Sequence, residues 1–408
     1  MTEGALTIAT WQRTCLAAWR SDSGDASSPR SQYAEGVSLG LHDFLMNHVV
    51  GQEAAAAVIH TLPRALSQCD LMDFDTWDEG ISYLCWHMID RYHRIQHVLD
   101  LLVARGHLPI RRRPVSLLEV GSGPAPATFA VADYYAALDL WCQQTQQPYT
   151  PGPDIDPRTL DRGAIWSQLI HHLSESTLQN APQSSAHRVF GTDYADLRGY
   201  SPWQVHHSAR ESQARALQSD WDADDVWMDL AAARREVALL GGGPPSGFDL
   251  IVIANFLTNK EMAESFAREI EELATSLTPG GILIFLGGTG KAYPAIWDRV
   301  ARGRRVATLK RVLDLEEEAH SESVAHQRVA DAILGSIGYL RDLAPDEYAR
   351  IADRLPPDVV AGDPAALAFP RYRIMAFKRD GNRVISRREA ERIRTRRRRA
   401  GDGEAQVQ

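Results

Sequence analysis

Residues 115–127, Val-Ser-Leu-Leu-Glu-Val-Gly-Ser-Gly-Pro-Ala-Pro-Ala, are the stretch that decides the fold of this chain. An apolar run that contains one acid, Glu119, ends at a turn with Gly121 and Gly123. Such a run bounded by glycine predicts a fully buried strand of a parallel sheet. Because neither glycine has a Cβ, the backbone can turn tightly there and approach a ligand closely. Residues 128–141 predict a helix, so the turn resembles the ligand crevice of an open α/β sheet.

Two glycine patterns fit this turn, and they predict different cofactors. The dinucleotide pattern Gly-x-Gly-x-x-Gly needs glycine where this chain has Pro126, whose ring hinders close packing of helix on strand. The sequence from Glu119 through Gly121 and Gly123 to Ala125 resembles instead the first motif of class I S-adenosylmethionine-dependent methyltransferases, with Ala125 replacing the last glycine. A carboxylate there repels a pyrophosphate, whereas S-adenosylmethionine brings an ammonium and a sulfonium group. An ordinary tight turn that binds nothing is the remaining alternative.

The resemblance to the methyltransferases continues along the chain. Phe-Asp-Leu-Ile-Val at 248–252 resembles the fourth strand of the family, and residues 277–283 resemble the turn into its fifth. Residues 371–378 resemble the closing strand, and Leu-Gly-Gly-Thr-Gly at 286–290 gives a further likeness to methyltransferase-like proteins associated with small ribosomal subunits. The resemblance implies an α/β fold, a doubly wound Rossmann-like methyltransferase sheet with an N-terminal helical subdomain, and S-adenosyl-L-methionine as cofactor.

Three parts are predicted along the chain. Residues 1–110 form a helical cap, in which apolar residues at helical spacing over 80–106 predict one long amphipathic helix. Residues 111–380 form the Rossmann-like domain. Residues 381–408 form a basic tail, which we expect to be disordered because runs of like charge usually stay solvated.

A proline-rich stretch interrupts the expected alternation of strands and helices. Residues 143–186 are interpreted as an insertion over the crevice, which makes 187–193 the second strand and 226–230 the third. Asp193 would then accept hydrogen bonds from the ribose hydroxyls, and Asp229 would meet the adenine amino group. A turn or helix-cap role for Asp193, and a cap or surface role for Asp229, are the alternatives.

The resemblance also implies roles for the residues of the first motif. The loop from Gly121 to Ala125 would hold the methionine end of the cofactor, while Glu119 would support the loop or bind the ammonium group. Asn255 would border both cofactor and substrate, but Asn255-Phe-Leu-Thr258 differs from the Asn/Asp-Pro-Pro-Tyr signature of enzymes that methylate amino groups of nucleic acids. Base methylation by that mechanism is therefore disfavoured. The predicted cofactor-binding residues are Glu119, Gly121, Ser122, Gly123, Ala125, Asp193, Asp229 and Asn255.

Catalytic residues cannot be assigned from a motif. Much of the acceleration of a methyl transfer can come from alignment of the two reactants, so a general base is not obligatory. No metal site is expected, because Arg94 follows His93 where a zinc-protease helix has glutamate. Six side chains are acceptor-side candidates, although surface or core roles are the more ordinary interpretation: Tyr92, His93, His171, His172, His206 and His207.

Bulk properties restrict the compartment and the partners. The formal net charge of −9 argues against a globally basic nucleic-acid binder, although the tail from Arg387 to Arg399 could contact a polyanion. The 4 cysteines have neither disulfide nor metal-ligand spacing, which favours reduced thiols. No signal segment or membrane-spanning run is evident, so we expect a cytoplasmic protein without a membrane partner.

Three functions follow from these patterns. The first is an S-adenosylmethionine-dependent methyltransferase whose acceptor is an unidentified small molecule or RNA. The second is a methyltransferase-like RNA-binding or ribosome-assembly protein with little or no catalysis, which the basic tail and Ala125 motivate. The third is a nucleotide-dependent oxidoreductase, against which Glu119 and Pro126 count. The methylated atom and the oligomeric state are left open.

Overall fold

One mixed sheet organises the fold. The computed structural model describes residues 7–14, 16–22, 27–111, 114–163, 165–181, 192–194, 247–290, 293–303, 309–320 and 323–379. The strands within these ranges are β1 (Val115–Val120), β2 (Ile155–Asp161), β3 (Thr192–Tyr194), β4 (Phe248–Ala254), β5 (Leu277–Gly288), β6 (Leu309–Glu317) and β7 (Tyr372–Arg379). Their order is β3-β2-β1-β4-β5-β7-β6, with β7 antiparallel to both neighbours and the other pairs parallel. The doubly wound Rossmann-like sheet is confirmed, and the order reverses between β1 and β4.

Helices surround this sheet and fill the N-terminal quarter of the chain. The long predicted helix at 80–106 is present as a helix that begins after the N-cap Thr76, whose hydroxyl accepts a hydrogen bond from the Glu79 N–H (3.4 Å). The described α-helices are α1 (Ile8–Thr14), α2 (Ala17–Asp22), α3 (Pro29–His48), α4 (Gly51–Ser67), α5 (Trp77–Ala104), α6 (Pro126–Gln144), α7 (Trp166–Asn180), α8 (Lys260–Ser265), α9 (Ala267–Thr275), α10 (Tyr293–Gly303), α11 (Ser323–Leu343), α12 (Pro345–Ile351) and α13 (Pro357–Ala361). None of them has the length and apolar character that a membrane crossing requires.

The two faces of the sheet have separate cores. Leu117 of β1 belongs to a buried cluster shared with α3, α5, α6 and α11, whereas Leu118 belongs to a second cluster with α8, α9 and α10. Successive residues of a strand point to opposite faces, so one short strand supplies both cores. The predicted N-terminal helices therefore share a continuous core with one face of the sheet, which fixes α5 above the strand ends.

The interpretation of 143–186 as an insertion is wrong. Residues 155–161 form β2, which pairs with β1 in parallel, and α7 follows it as the next helix of the alternation. Of the segment predicted as the second strand, 187–193, Thr192 and Asp193 belong to β3, which pairs with the last three residues of β2, and residues 187–191 lie outside the described residues. The predicted third strand at 226–230 lies outside the described residues, as does the basic tail.

Pro157 explains why β2 is hard to find in the sequence. A proline within a short polar run counts against a central strand, because it cannot donate a ladder hydrogen bond. Here Pro157 lies opposite Leu117 of β1, while β3 pairs only with residues 159–161. Among the described residues, the first half of β2 is therefore an edge, where a missing N–H is tolerated.

Candidate functional site

The carboxyl ends of β1, β2 and β4 surround a cavity of about 310 Å³. Gly121 and Gly123 follow β1, Asp161 ends β2, and Asn255 follows β4, and all four residues line this cavity. The cavity lies where the strand order reverses, the place where open α/β sheets bind ligands. Its size also falls within the range of small-molecule sites.

Glu119 connects β1 to the beginning of α6. It is 1% exposed, and its Oε1 accepts a hydrogen bond from the Ala127 N–H (3.1 Å). Its Oε2 accepts hydrogen bonds from the Thr128 N–H (2.8 Å) and from the Thr128 hydroxyl (2.7 Å). Burial raises the pKa of Glu119 to about 7, although these hydrogen bonds act in the opposite direction. The sequence analysis gives two roles for Glu119, support of the loop or binding of the ammonium group. These contacts agree with support of the loop.

Both glycines of the loop adopt backbone conformations that disfavour other residues. Gly121 has a φ of +63°, and a Cβ there would lie only 2.5 Å from Cδ2 of Phe256. Gly123 has a φ of +52°, and its N–H donates a hydrogen bond to Oδ2 of Asp161 (2.8 Å). The loop therefore needs glycine at both positions, so that it can lie close to Phe256 and place the Gly123 N–H within hydrogen-bond distance of Asp161.

Ala125 is the residue that departs from the resembled motif, and its backbone is strained. It precedes α6 with φ +60° and ψ +43°, the left-handed region in which glycine is favoured. The conformation costs about 1–2 kcal/mol for a residue with a Cβ.

In the same loop, the hydroxyl of Ser122 is buried without a hydrogen-bond partner among the described residues. Such an orphaned polar atom is a group that a bound ligand can satisfy.

Asp161 occupies the position that the sequence analysis gave to Asp193. Its Oδ2 accepts from the Gly123 N–H and its Oδ1 from the Gly163 N–H (2.9 Å), at the carboxyl end of β2. Burial raises the pKa of Asp161, while the backbone donors and Arg162 counter that effect. Asp193 lies in β3, opposite Leu160 of β2, so the placement of Asp193 at the end of the second strand is wrong.

Asn255 and Phe256 close one side of the cavity. Asn255 has a φ of +53°, and its N–H donates to the carbonyl oxygen of Leu286 on β5 (2.8 Å). The next side chain, Phe256, packs against Phe266, with ring centroids 5.0 Å apart. The predicted position of Asn255 beside the crevice is correct, and its binding role stays a prediction. Asp229 lies outside the described residues.

Aromatic side chains and one arginine form the opposite side. The ring of Phe74 lies 5.1 Å from that of Tyr83 and 5.0 Å from that of Trp166, and all three line the cavity. The guanidinium of Arg91 lies over the Tyr83 ring, 4.8 Å from its centroid. Burial lowers the pKa of Arg91 to about 10, and no ion pair joins it to a carboxylate among the described residues. Sequence analysis missed this wall, because the segment 69–74, α5 and α7 contribute to it from distant positions.

The four acceptor-side candidates that the structure describes do not line this cavity. Tyr92 donates a hydrogen bond to buried Asp133 (2.9 Å), and His93 lines a different cavity. His171 and His172 lie within 3.4 and 3.5 Å of Glu175 on α7. His206 and His207 lie outside the described residues. Within the ranges that the structure describes, no three His, Cys, Asp or Glu side chains are grouped to hold a metal ion.

Comparisons with known proteins find similarity only among solved structures. No protein-family model matches the chain, and no curated protein matches it. It is similar to magnesium protoporphyrin IX methyltransferase (ChlM) from Synechocystis PCC 6803 with bound SAM, at 9% identity and a TM-score of 0.33, covering 80% of this chain and 97% of that one. It is also similar to the N-methyltransferase NodS from Bradyrhizobium japonicum WM9 in complex with S-adenosyl-L-homocysteine, at 13% identity and a TM-score of 0.33. This similarity covers 79% of this chain and 98% of that one.

A third similar structure is the [4+2]-cyclase SpnF, at 14% identity and a TM-score of 0.34, covering 70% of this chain and 80% of that one. At these identities and TM-scores the similarities carry no argument about the reaction. The interpretation of the site therefore rests on the sheet order and on the contacts around the glycine loop.

The strain at Ala125 can be measured against a neighbouring alanine. We expect Ala125→Gly to be about 1–2 kcal/mol more stable than Ala127→Gly, because glycine relieves the left-handed strain at 125. Both alanines are fully buried, so both variants lose one buried methyl group. Ala127 lies inside α6, where glycine also costs helix propensity. Equilibrium urea unfolding measures the difference, and equal stability of the two variants would contradict the assignment of strain.

The raised pKa of Glu119 predicts a pH dependence of stability. The folded state holds a proton on Glu119 that the unfolded chain releases above about pH 4.5, so stability falls as the pH rises from about 4.5 to about 7. The free energy of unfolding of the natural protein, minus that of Glu119→Gln, should decrease as the pH rises through this window. Above the window this difference should stay constant. Glu264→Gln, an exposed substitution on α8, is the matched control. If this difference stays constant over the whole window, the raised pKa of Glu119 is refuted.

Proposed function

We propose that this protein is an S-adenosylmethionine-dependent methyltransferase that acts on a small acceptor. The observation that carries the proposal is the position of Asp161, whose carboxyl group is held by the Gly123 N–H at the rim of the cavity between β1 and β4. An acid at the end of the second strand, facing a glycine loop after the first, is the arrangement that the resemblance to class I methyltransferases requires.

The residues around the cavity fit this cofactor. Each oxygen of Asp161 accepts one backbone hydrogen bond and keeps acceptor capacity for a ribose hydroxyl. The Gly121–Gly123 backbone can approach the methionine end closely, and the orphaned hydroxyl of Ser122 lies in the same loop. When bound, S-adenosylmethionine supplies a methyl group on a sulfonium centre.

The beginning of α6 argues against a nicotinamide dinucleotide. A dinucleotide-binding helix presents its first N–H groups to the pyrophosphate. In this chain the N–H groups of Ala127 and Thr128 already donate to Glu119, and Pro126 has none to offer. A phosphate at this helix would have to displace a buried side chain of the same charge, which disfavours the oxidoreductase alternative.

The side chains of this chain would act by positioning and by excluding water. Tyr83, Trp166 and Phe256 enclose the cavity with aromatic faces, which attract cations and keep water away from a bound sulfonium. Alignment of the acceptor with the methyl group would then supply much of the acceleration. No described side chain needs to form a covalent intermediate.

The walls of the cavity support a small acceptor with an apolar body. Met72, Phe74 and Phe266 line it together with the aromatic residues already named, and its volume is about 310 Å³. Arg91, which forms no ion pair among the described residues, would suit an anionic group on a ligand in this space.

The cofactor assignment is tested by calorimetry with S-adenosylmethionine and S-adenosylhomocysteine. We expect both to bind, and Asp161→Asn to weaken binding by at least about 10-fold, because hydrogen bonds to a charged group are lost. Asp156→Asn, at the other end of β2 and away from the cavity, should leave the affinity unchanged. Thermal unfolding checks that each variant folds. Absence of binding at millimolar ligand, or tight binding of a nicotinamide dinucleotide instead, would overturn the proposal.

The acceptor class is tested with S-adenosylmethionine labelled in its methyl group. An extract is divided by size into small molecules and macromolecules, and each fraction is incubated with the protein. We expect label to be transferred in the small-molecule fraction, because the cavity is small and aromatic side chains form one of its walls. Asp161→Asn should reduce that transfer and Asp156→Asn should not. Transfer confined to RNA would contradict a small acceptor while leaving the cofactor assignment intact.

A further inference from the structure

A second cavity, of about 140 Å³, also borders α5. It is enclosed by α3, α5, α11 and the loop that follows β6. Four arginines line it against two carboxylates, and three histidines complete the polar lining. Neither the cofactor loop nor the aromatic wall of the first cavity takes part in it.

Of the two carboxylates that line this cavity, Glu318 is exposed, whereas Asp100 is buried, as is the nearby Asp90, and these two buried acids have partners. Asp100 accepts a hydrogen bond from Arg30 (2.5 Å) and another from the Tyr134 hydroxyl (2.8 Å). Asp90 contacts Arg94 at 2.9 Å and His320 at 2.7 Å through the same oxygen. Burial acts to raise the pKa of Asp90, but Arg94 and His320 outweigh it and hold this pKa well below its usual range. Both acids are therefore committed to cations of the protein.

Arg328 differs from Arg30 and Arg94, the lining arginines that form ion pairs with buried carboxylates. It lies half-buried on α11, where burial lowers its pKa, and no ion pair joins it to a carboxylate among the described residues. The charge of Glu35 acts on Arg328 without reaching ion-pair distance, so the cost of burying this guanidinium is only partly offset. An anion in the cavity would remove that cost.

His93 supplies a second, independent sign of a missing ligand. It lines the same cavity, and its Nε2 is buried without a hydrogen-bond partner among the described residues. Burial, followed by the positive charges of His320, Arg328 and Arg30, lowers the pKa of His93 well below its usual value. Asp90 opposes this shift but does not reverse it. The imidazole is therefore neutral although it lies among cations.

We propose that this second cavity binds a small oxyanion, a phosphate or carboxylate group, between Arg328 and His93. The volume of about 140 Å³ corresponds to a few water molecules, which matches one such group and excludes a nucleotide inside the cavity. Arg328 would provide the planar fork of donors that suits oxyanions, and the Nε2 of His93 would provide a further donor. This inference stands apart from the proposed methyltransferase function, since it uses none of the cofactor residues.

Calorimetry with inorganic phosphate, and separately with acetate, tests the site at low chloride concentration, where competing ions are few. We expect phosphate or acetate to bind, and the tighter of the two identifies the group. Arg328→Met should weaken binding by at least about 10-fold, because it removes the charged fork. Arg341→Met is the matched control, since Arg341 is exposed near the end of the same helix and should leave binding unchanged.

A measurement on the natural protein keeps the proposal testable if Arg328→Met does not fold. Imidazole signals followed by NMR during a pH titration should show that the bound anion raises the pKa of His93, because a negative charge stabilises the imidazolium. Three results would overturn the proposal: no binding up to about 20 mM phosphate or acetate, equal binding by Arg328→Met and Arg341→Met, or an unchanged His93 titration. Loss of binding in Arg91→Met alone would place the anion in the first cavity and would also overturn it.

Discussion

The hydrogen bonds of Glu119 to the first turn of α6 are the interaction on which the rest of the site depends. They connect the end of β1 to the start of α6 and so restrict the path of the loop between them. Asp161 holds the same loop from the side through the Gly123 N–H. A loop held by Glu119 across its ends and by Asp161 at Gly123 can tolerate a strained residue, which explains how Ala125 replaces a glycine there. The same contacts occupy the helix N-terminus and so favour a cationic ligand over a phosphate.

Much of the sheet could be predicted from sequence, because its central strands are buried on both faces. β1, β4 and β5 contain apolar runs bounded by turn residues, and β7 follows the same pattern late in the chain. β2 could not be found in this way, since it is polar and contains Pro157, and its first half pairs with β1 alone among the residues that the structure describes. Missing β2 moved the expected ribose-binding acid from Asp161 to Asp193. The first motif was predictable because its chemistry is local, whereas Asp161 depends on which strand lies beside β1.

The helices that pack against α5 could not be predicted from the apolar periodicity of its sequence, for a different reason. An apolar stripe predicts which face of a helix is buried, but it does not limit how many neighbours cover the remaining faces. In this fold α4, α6 and α11 all pack against α5. Polar residues outside the stripe, among them Asp90, Arg94 and Asp100, are consequently buried. Burial forces them into ion pairs and hydrogen bonds, while among the described residues Arg328 has no ion pair and the Nε2 of His93 has no hydrogen-bond partner.

Helix α5 is therefore the common wall of two cavities with different chemistry. Arg91 reaches the aromatic cavity beside the glycine loop, and one turn further along, Arg94 and His93 border the polar one. Residues three positions apart share a helix face, and the charge of Arg94 contributes to lowering the pKa of Arg91. An anion bound beside Arg94 would offset part of that repulsion and make a charged Arg91 less costly.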